Sequence, residues 1–397
     1  MEILSERINR LSESATIRMA QLGRELKEQG ADIINLSLGE PDFDTPAHIK
    51  EAAVRAIHEG YTHYTPVAGY PELRKAICAK LKRDNELEYT PDQIVVSTGA
   101  KQSLMNVVLS LVNPGDEVIV PAPYWVSYAA MVQLAEARMV NIPTSIDTQF
   151  KFTAEQLEQA ITPRTRLLLY SSPCNPTGSV FSREDLERYV RVLEKHPQVY
   201  IVSDEIYEYI HYTGRHESIA SFDSIRDRVV VVNGFSKGFA MTGWRVGYIA
   251  APKWIAKACD KIQGQFTSGT CSIAQKAAEA AISSDLAPTF RMRDIFHKRR
   301  DLILQLLREV KGFKVNQPEG AFYVFPDVSY FFGKTYDGDL IKDSDDFAMF
   351  LLKEAHVSTV GGKSFGDDHC IRLSYACSEN DIKRAVERIQ RATALLG

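Results

Sequence analysis

From about residue 46 to residue 290 the chain alternates short, continuous apolar runs rich in β-branched residues with stretches of helical periodicity, a pattern that admits few folds. The runs are Ile94–Ser97, Glu117–Val120, Arg138–Ile142, Arg166–Tyr170, Val199–Ser203, Val229–Asn233 and Val246–Ala250. Their unbroken apolar character predicts strands buried on both faces. Between them lie amphipathic segments such as Tyr70–Asp84, Lys101–Val112 and Arg183–Lys195, the last opened by Ser182 with Asp185 three residues on. Crossovers of that length predict a doubly wound α/β domain with a seven-stranded, mostly parallel sheet flanked by helices.

With 397 residues the chain exceeds the roughly 250–300 at which a single core stops growing, so a second domain is expected. Past about Arg291 a long basic helix runs to about Val310, followed by Gly320–Asp327 and a helix over Glu379–Leu395. These predict a smaller α+β lobe. The expected division is an N-terminal arm over 1–45, a large domain over 46–290 and a small domain over 291–397. The arm carries its own helix, Ile17–Gln29, and a Gly39-Glu40-Pro41 turn, and the sequence leaves open which lobe it packs against.

Ligands of an open α/β sheet bind beyond the carboxyl ends of its strands, and the unusual residues of this chain gather there. Gly99-Ala100-Lys101 follows the first run and opens a helix whose unpaired N–H groups would favour a phosphate. Asn175-Pro176-Thr177-Gly178 follows the fourth run, Asp204-Glu205-Ile206-Tyr207 the fifth and Ser236-Lys237 the sixth. Arg245 comes just after Gly243-Trp244 and supplies a fixed cation. Taken singly, each has a plain explanation: Lys237 a solvated lysine, Asp204 a cap, Gly99 a turn, Trp125 and Tyr207 ordinary aromatics, Arg245 and Arg372 surface ion-pair partners. Their joint placement at strand ends, with complementary chemistry, is what points to a site.

With those clusters in view, the chain resembles, over its whole length, the fold-type I pyridoxal-phosphate aminotransferases of class I, in the bacterial branch that includes many aspartate aminotransferases. The resemblance rests on Gly39-Glu40-Pro41-Asp42-Phe43, Tyr64 with Gly69, Asn175-Pro176-Thr177-Gly178, Ser203-Asp204-Glu205-Ile206-Tyr207, Ser236-Lys237, Gly243-Trp244-Arg245-Val246-Gly247 and Arg372-Leu373-Ser374. It implies pyridoxal 5′-phosphate as cofactor, held by Lys237 as a Schiff base, with the same lysine moving a proton at the substrate α-carbon. It further implies that Asp204 faces the pyridine nitrogen, that Asn175 and Tyr207 bond the ring oxygen, and that Trp125 stacks on the ring. Gly99, Ala100, Lys101, Ser236 and Arg245 would line the phosphate end, joined by Tyr64 from a second subunit of a homodimer with shared sites. Arg372 would clamp the substrate α-carboxylate by a two-pronged ion pair, with the Gly39 backbone alongside.

Lys101 stands where this branch places a cation near a distal carboxylate, which favours aspartate as donor and 2-oxoglutarate as acceptor, giving oxaloacetate and glutamate. Prephenate, also with two carboxylates, and aromatic amino acids remain alternatives. Three positions depart from the family pattern: Gly234 where many relatives carry a phosphate-binding Ser, Cys174 for the usual Asn, and Gly361 for a common Pro. A cofactor-sensing transcriptional regulator on the same module would need an added DNA-binding domain, for which the resemblance, beginning within the first 20 residues, leaves no room.

Charge and composition narrow the partners. A formal net charge of −4 with both signs interspersed offers no footprint for nucleic acid or an anionic membrane, so amino acids and 2-oxo acids are the expected partners. The six cysteines show no CxxC spacing, and no metal site is expected. No run of 18 apolar residues occurs, and the charged N-terminus is unlike a signal peptide, so a cytoplasmic enzyme is expected.

Overall fold

The structure, a computed structural model, describes residues 4–397. Seven strands form the large sheet: β1 (Ile94–Ser97), β2 (Glu117–Pro121), β3 (Arg138–Ile142), β4 (Thr165–Ser171), β5 (Tyr200–Asp204), β6 (Val229–Gly234) and β7 (Gly247–Ala250). Their order is β1-β7-β6-β5-β4-β2-β3. Only β7 runs antiparallel to its neighbours, pairing with β1 and β6. The remaining pairs are parallel, as continuous apolar runs demand. Every predicted run is a strand to within one residue at either end.

Both faces of the sheet are covered. Leu168, Ile201 and Val231 pack under the helices Pro71–Asn85, Arg183–Leu193 and Ser272–Ser283. Val118, Leu167, Val202 and Val230 meet Ala100–Leu111 and Lys253–Phe266 on the other face. The predicted cap of Arg183–Leu193 is present: Asp185 N donates to Ser182 Oγ at 3.2 Å, and Ser182 N to Asp185 Oδ2 at 3.1 Å. This reciprocal pair satisfies two of the N–H groups that a helix start leaves open.

A second apolar cluster joins Phe296, Ile303, Phe322, Phe347, Leu373 and Ile389. It is built on the helices Ala287–Arg308, Ser344–Glu354 and Glu379–Thr393 and on three short strands, β8 (Tyr323–Val324), β9 (Val360–Gly361) and β10 (Ile371–Ser374), in the order β9-β10-β8. The arm goes with this lobe. Ile34–Asn35 pairs in parallel with Val357–Ser358, and Ile34 and Leu36 are buried in the same cluster. Among the described residues no helix is long and apolar enough to cross a membrane.

Candidate active site

The carboxyl ends of β4, β5 and β6 meet the small lobe at a cavity of about 380 Å³. Gly39, Ala100, Lys101, Trp125, Asn175, Asp204, Tyr207, Ser236, Lys237, Arg245 and Arg372 all line it. Gly99 lies just beneath, at φ 84°, where an added Cβ would stand 2.4 Å from Arg245 Nη2; only glycine lets the guanidinium rest on this turn. Tyr64 does not line the cavity and is 100% exposed.

Close backbone approach builds the end of the cavity where Ala100 and Arg245 meet. A Cβ on Gly247 would be 2.2 Å from Ala100 N, so the helix Ala100–Leu111 starts directly over β7. Gly234, paired with Gly247 in register, has the Gly247 Cα and Val246 O only 3.0 Å from where its Cβ would be. That crowding gives a local reason for glycine at 234. Arg245 itself adopts a left-handed backbone, φ 57°, and donates to Thr242 O at 2.7 Å. Of the other departures, Cys174 Sγ lies 3.6 Å from Pro123 O, and Gly361 leaves room for Asp345, whose Oδ1 would be 1.9 Å from a Cβ there.

Electrostatically the cavity is unbalanced. Lys237 is half-buried and its amine donates to Gly39 O at 2.5 Å. Burial pulls it down to about 8, with Arg372 and Arg245 acting in the same direction against Glu40 and Asp204. Asp204 moves the other way: burial pushes its carboxyl up to about 6, although Tyr128 and the Ile206 N–H donate to it. Arg372, 2% exposed, donates to Asn175 Oδ1 at 2.9 Å and to Ser37 O at 2.5 Å, while its Nε has no partner. Lys101 Nζ lies 4.9 Å from the Trp125 ring centre. Among the described residues no carboxylate forms an ion pair with Lys101, Lys237, Arg245 or Arg372. With Arg24, which also lines the cavity, five cations surround one buried acid, a donor set suited to a ligand carrying a phosphate and carboxylates.

Several further residues line the cavity without a sequence signature. Tyr323 Oη lies 2.8 Å from Tyr207 Oη, its ring centre is 4.6 Å from the Arg372 guanidinium, and it comes from the small lobe. Thr16, Ile17 and Arg24 enter from the arm, and Tyr128 and Ser171 from the floor. No motif marks them.

The family model for class I and II aminotransferases matches residues 31–389. The chain belongs to that family. A bifunctional aspartate aminotransferase and glutamate/aspartate-prephenate aminotransferase of Petunia hybrida is 50% identical over 98% of this chain and 82% of its own length. An aspartate/prephenate aminotransferase of Cereibacter sphaeroides is 47% identical over 98% of each chain. Among solved structures, the aspartate aminotransferase of Rhizobium meliloti superposes with a TM-score of 0.96 at 42% identity over 99% of each chain. That of Thermus thermophilus, with maleate, gives 0.93 at 42% identity over 99% of this chain and all of its own. The expected fold and the aminotransferase class are therefore those of this chain.

Proposed function

We propose that this aminotransferase moves the amino group of aspartate to 2-oxoglutarate, yielding oxaloacetate and glutamate, with pyridoxal 5′-phosphate as its cofactor. The observation that carries the reading is a pair of unmatched cations, Arg372 and Lys101, lining one cavity: one for the α-carboxylate that every amino acid has, one for a second carboxylate. The same pair suits prephenate, and relatives named for both activities support keeping it as a second acceptor.

The cofactor, when bound, supplies an electron sink for the substrate α-carbon. The chain's own residues do the rest. Lys237, lowered by burial, offers a neutral amine for covalent attachment and then for moving a proton at that carbon. Asp204 would face the ring nitrogen. Asn175 and Tyr207 would donate to the ring oxygen, Trp125 would cover one ring face, and the Gly99-Ala100 backbone, Ser236 and Arg245 would hold the phosphate.

Tyr64 has no place in its own cavity, and we assign it to the site of a second copy. A further apolar recess of about 700 Å³, lined by Thr98, Met105, Leu109 and Phe266, shares Lys101 and Arg245 with the cavity and gives such a residue an approach. The homodimer, the division into segments 1–45, 46–290 and 291–397, and a cytoplasmic location with all six cysteines unpaired belong to the same reading. The separate apolar clusters of the two lobes support that division.

The test is a panel of amino donors with 2-oxoglutarate, run on the native protein and on Lys101→Ala. Losing a charge-assisted hydrogen bond, worth about 1.5–3 kcal/mol, should lower kcat/KM for aspartate by roughly 10- to 150-fold and for phenylalanine far less. Equal losses for both donors would return Lys101 to the phosphate end alone.

A further inference from the structure

Asp204 does not stand alone at the end of β5. Tyr128, in the helix Ser127–Leu134, donates its hydroxyl to Asp204 Oδ2 at 2.8 Å, while Asp204 Oδ1 accepts from Ile206 N at 3.3 Å. Tyr128 is 1% exposed, and its ring is fixed edge-on against Trp125, with centroids 5.6 Å apart. Such a bond, made to an ionised acceptor in a dry site, belongs to the stronger class of hydrogen bonds. The other titratable groups facing Asp204 are Glu205, which repels its charge, Lys237, which attracts it, and the Tyr207 hydroxyl and Cys174 thiol, both raised by burial and so neutral. Burial raises Tyr128's own hydroxyl well above its usual value, so it stays protonated and can only donate.

We propose that Tyr128 is a positioning residue that holds Asp204 in its anionic form through Oδ2, and thereby keeps the proton shared by Asp204 and the cofactor's ring nitrogen on the ring. The inference rests on the reading that Asp204 faces that nitrogen. A carboxylate relieved of its donor becomes a stronger base, and the shared proton then shifts toward oxygen. Tyr128 touches neither substrate nor reacting atoms in this role; it acts through Asp204.

The experiment uses the full chain loaded with pyridoxal phosphate labelled with ¹⁵N in its ring. In the native protein the ring nitrogen should resonate as protonated, and in Tyr128→Phe its resonance should move toward the unprotonated position. Affinity of the cofactor-free protein for pyridoxal phosphate should fall roughly 10- to 100-fold, as expected for losing a hydrogen bond to a charged group. In an Asp204→Asn background the same Tyr128→Phe change should alter affinity less than about twofold, since coupling vanishes once the charge is gone. Replacing Tyr128 with 3-fluorotyrosine, a stronger donor of nearly the same shape, should leave the nitrogen fully protonated and keep native affinity. An unmoved resonance in Tyr128→Phe, or an equal loss of affinity in both backgrounds, overturns the proposal in favour of simple packing. If Asp204→Asn alone left affinity and resonance unchanged, the placement of Asp204 at the ring would itself be wrong, and the role of Tyr128 would go with it.

Discussion

Asp204 and Glu205 are neighbours in sequence and both are buried, yet they belong to opposite kinds of electrostatic environment. Asp204 opens on a cavity where cations outnumber acids. Glu205 accepts hydrogen bonds from Ser203 Oγ at 3.0 Å and Ser218 Oγ at 2.6 Å and pairs with His216 Nε2 at 3.0 Å. Glu208, three residues on, pairs with Lys80 and accepts from Asn85 Nδ2 at 3.1 Å. Burial lowers His216, but the Glu205 carboxylate outweighs it, so the ring sits above its usual range and carries charge more readily. Glu205, Glu208 and His216 could span a metal ion, their ligand atoms lying within 4.8 Å of one another, but the Lys80 ammonium already supplies the cation there. The difference teaches where each charge is spent. In the second network acids and bases match within the chain; in the cavity they wait for a ligand to match them.

The largest effect comes from the cavity. Lys237→Ala should fold, bind the cofactor only non-covalently and lose activity by about 10⁴-fold, the upper range for a general base. Borohydride reduction and peptide mapping check it, and a single labelled site in the variant would misplace the attachment. In the native protein, capture should depend on the neutral amine. Because burial brings Lys237 to about 8, the capture rate should climb through pH 6 and 7 and level off above about 8 rather than near 10.5.

The balanced network should respond in stability instead. Lys80 is 1% exposed, and Lys80→Met would leave Glu208 buried without its ammonium partner, with the Asn85 amide donating to it and His216 nearby. Removing one partner of a buried pair costs about 3–5 kcal/mol, which urea unfolding of the cofactor-free protein would register. Adding Glu208→Gln should recover much of the loss, because no uncompensated charge then remains. Donor preference of the folded molecules should stay native. A cost below about 1 kcal/mol would mean that water or another group already serves Glu208, and the contrast with the cavity would weaken.

The same contrast explains what could be read from the sequence. Strands of the large sheet were legible because burial on both faces leaves continuous runs such as Val229–Asn233, and the strand-end residues because parallel topology sends them to one rim. The reversed direction of β7 was not legible: Val246–Ala250 reads like its parallel neighbours, and only the short return through Thr242–Trp244 sets its sense. Gly39, Lys237 and Arg372, from three distant parts of the chain, converge through tertiary packing that local patterns do not encode. Tyr128 and Tyr323 escaped for a related reason. A tyrosine in a helix or short strand looks like core, and what sets these two apart is where one hydroxyl points. Tyr64 was singled out by resemblance alone; its own fold leaves it on the surface.

The smallest effect is also the one whose sign is least intuitive: in the absence of cofactor, Asp204→Asn should make the protein more stable, and only at the higher pH. Burial raises the Asp204 carboxyl from its ordinary value near 3.8 to about 6, so between those values the folded state keeps a proton that the unfolded chain releases. The contribution of this group is therefore most favourable below about 3.8 and is lost as pH rises through about 6. Asparagine never ionises, fits the same space and still accepts from Tyr128. Relative to the native protein the variant should gain nothing near pH 4 and roughly 3 kcal/mol at most near pH 8, at about 1.4 kcal/mol per unit. Paired urea titrations at the two pH values would read the difference directly. Saturating pyridoxal phosphate should reverse the ranking, because the native carboxylate then has the cationic partner it lacks. Glu205→Gln should behave in the opposite way, destabilising the cofactor-free protein at neutral pH by leaving His216 without its counter-charge. Were Asp204→Asn less stable than the native protein at pH 8, Asp204 would be as well matched within the chain as Glu205, and the distinction between a waiting charge and a settled one would not hold at this site.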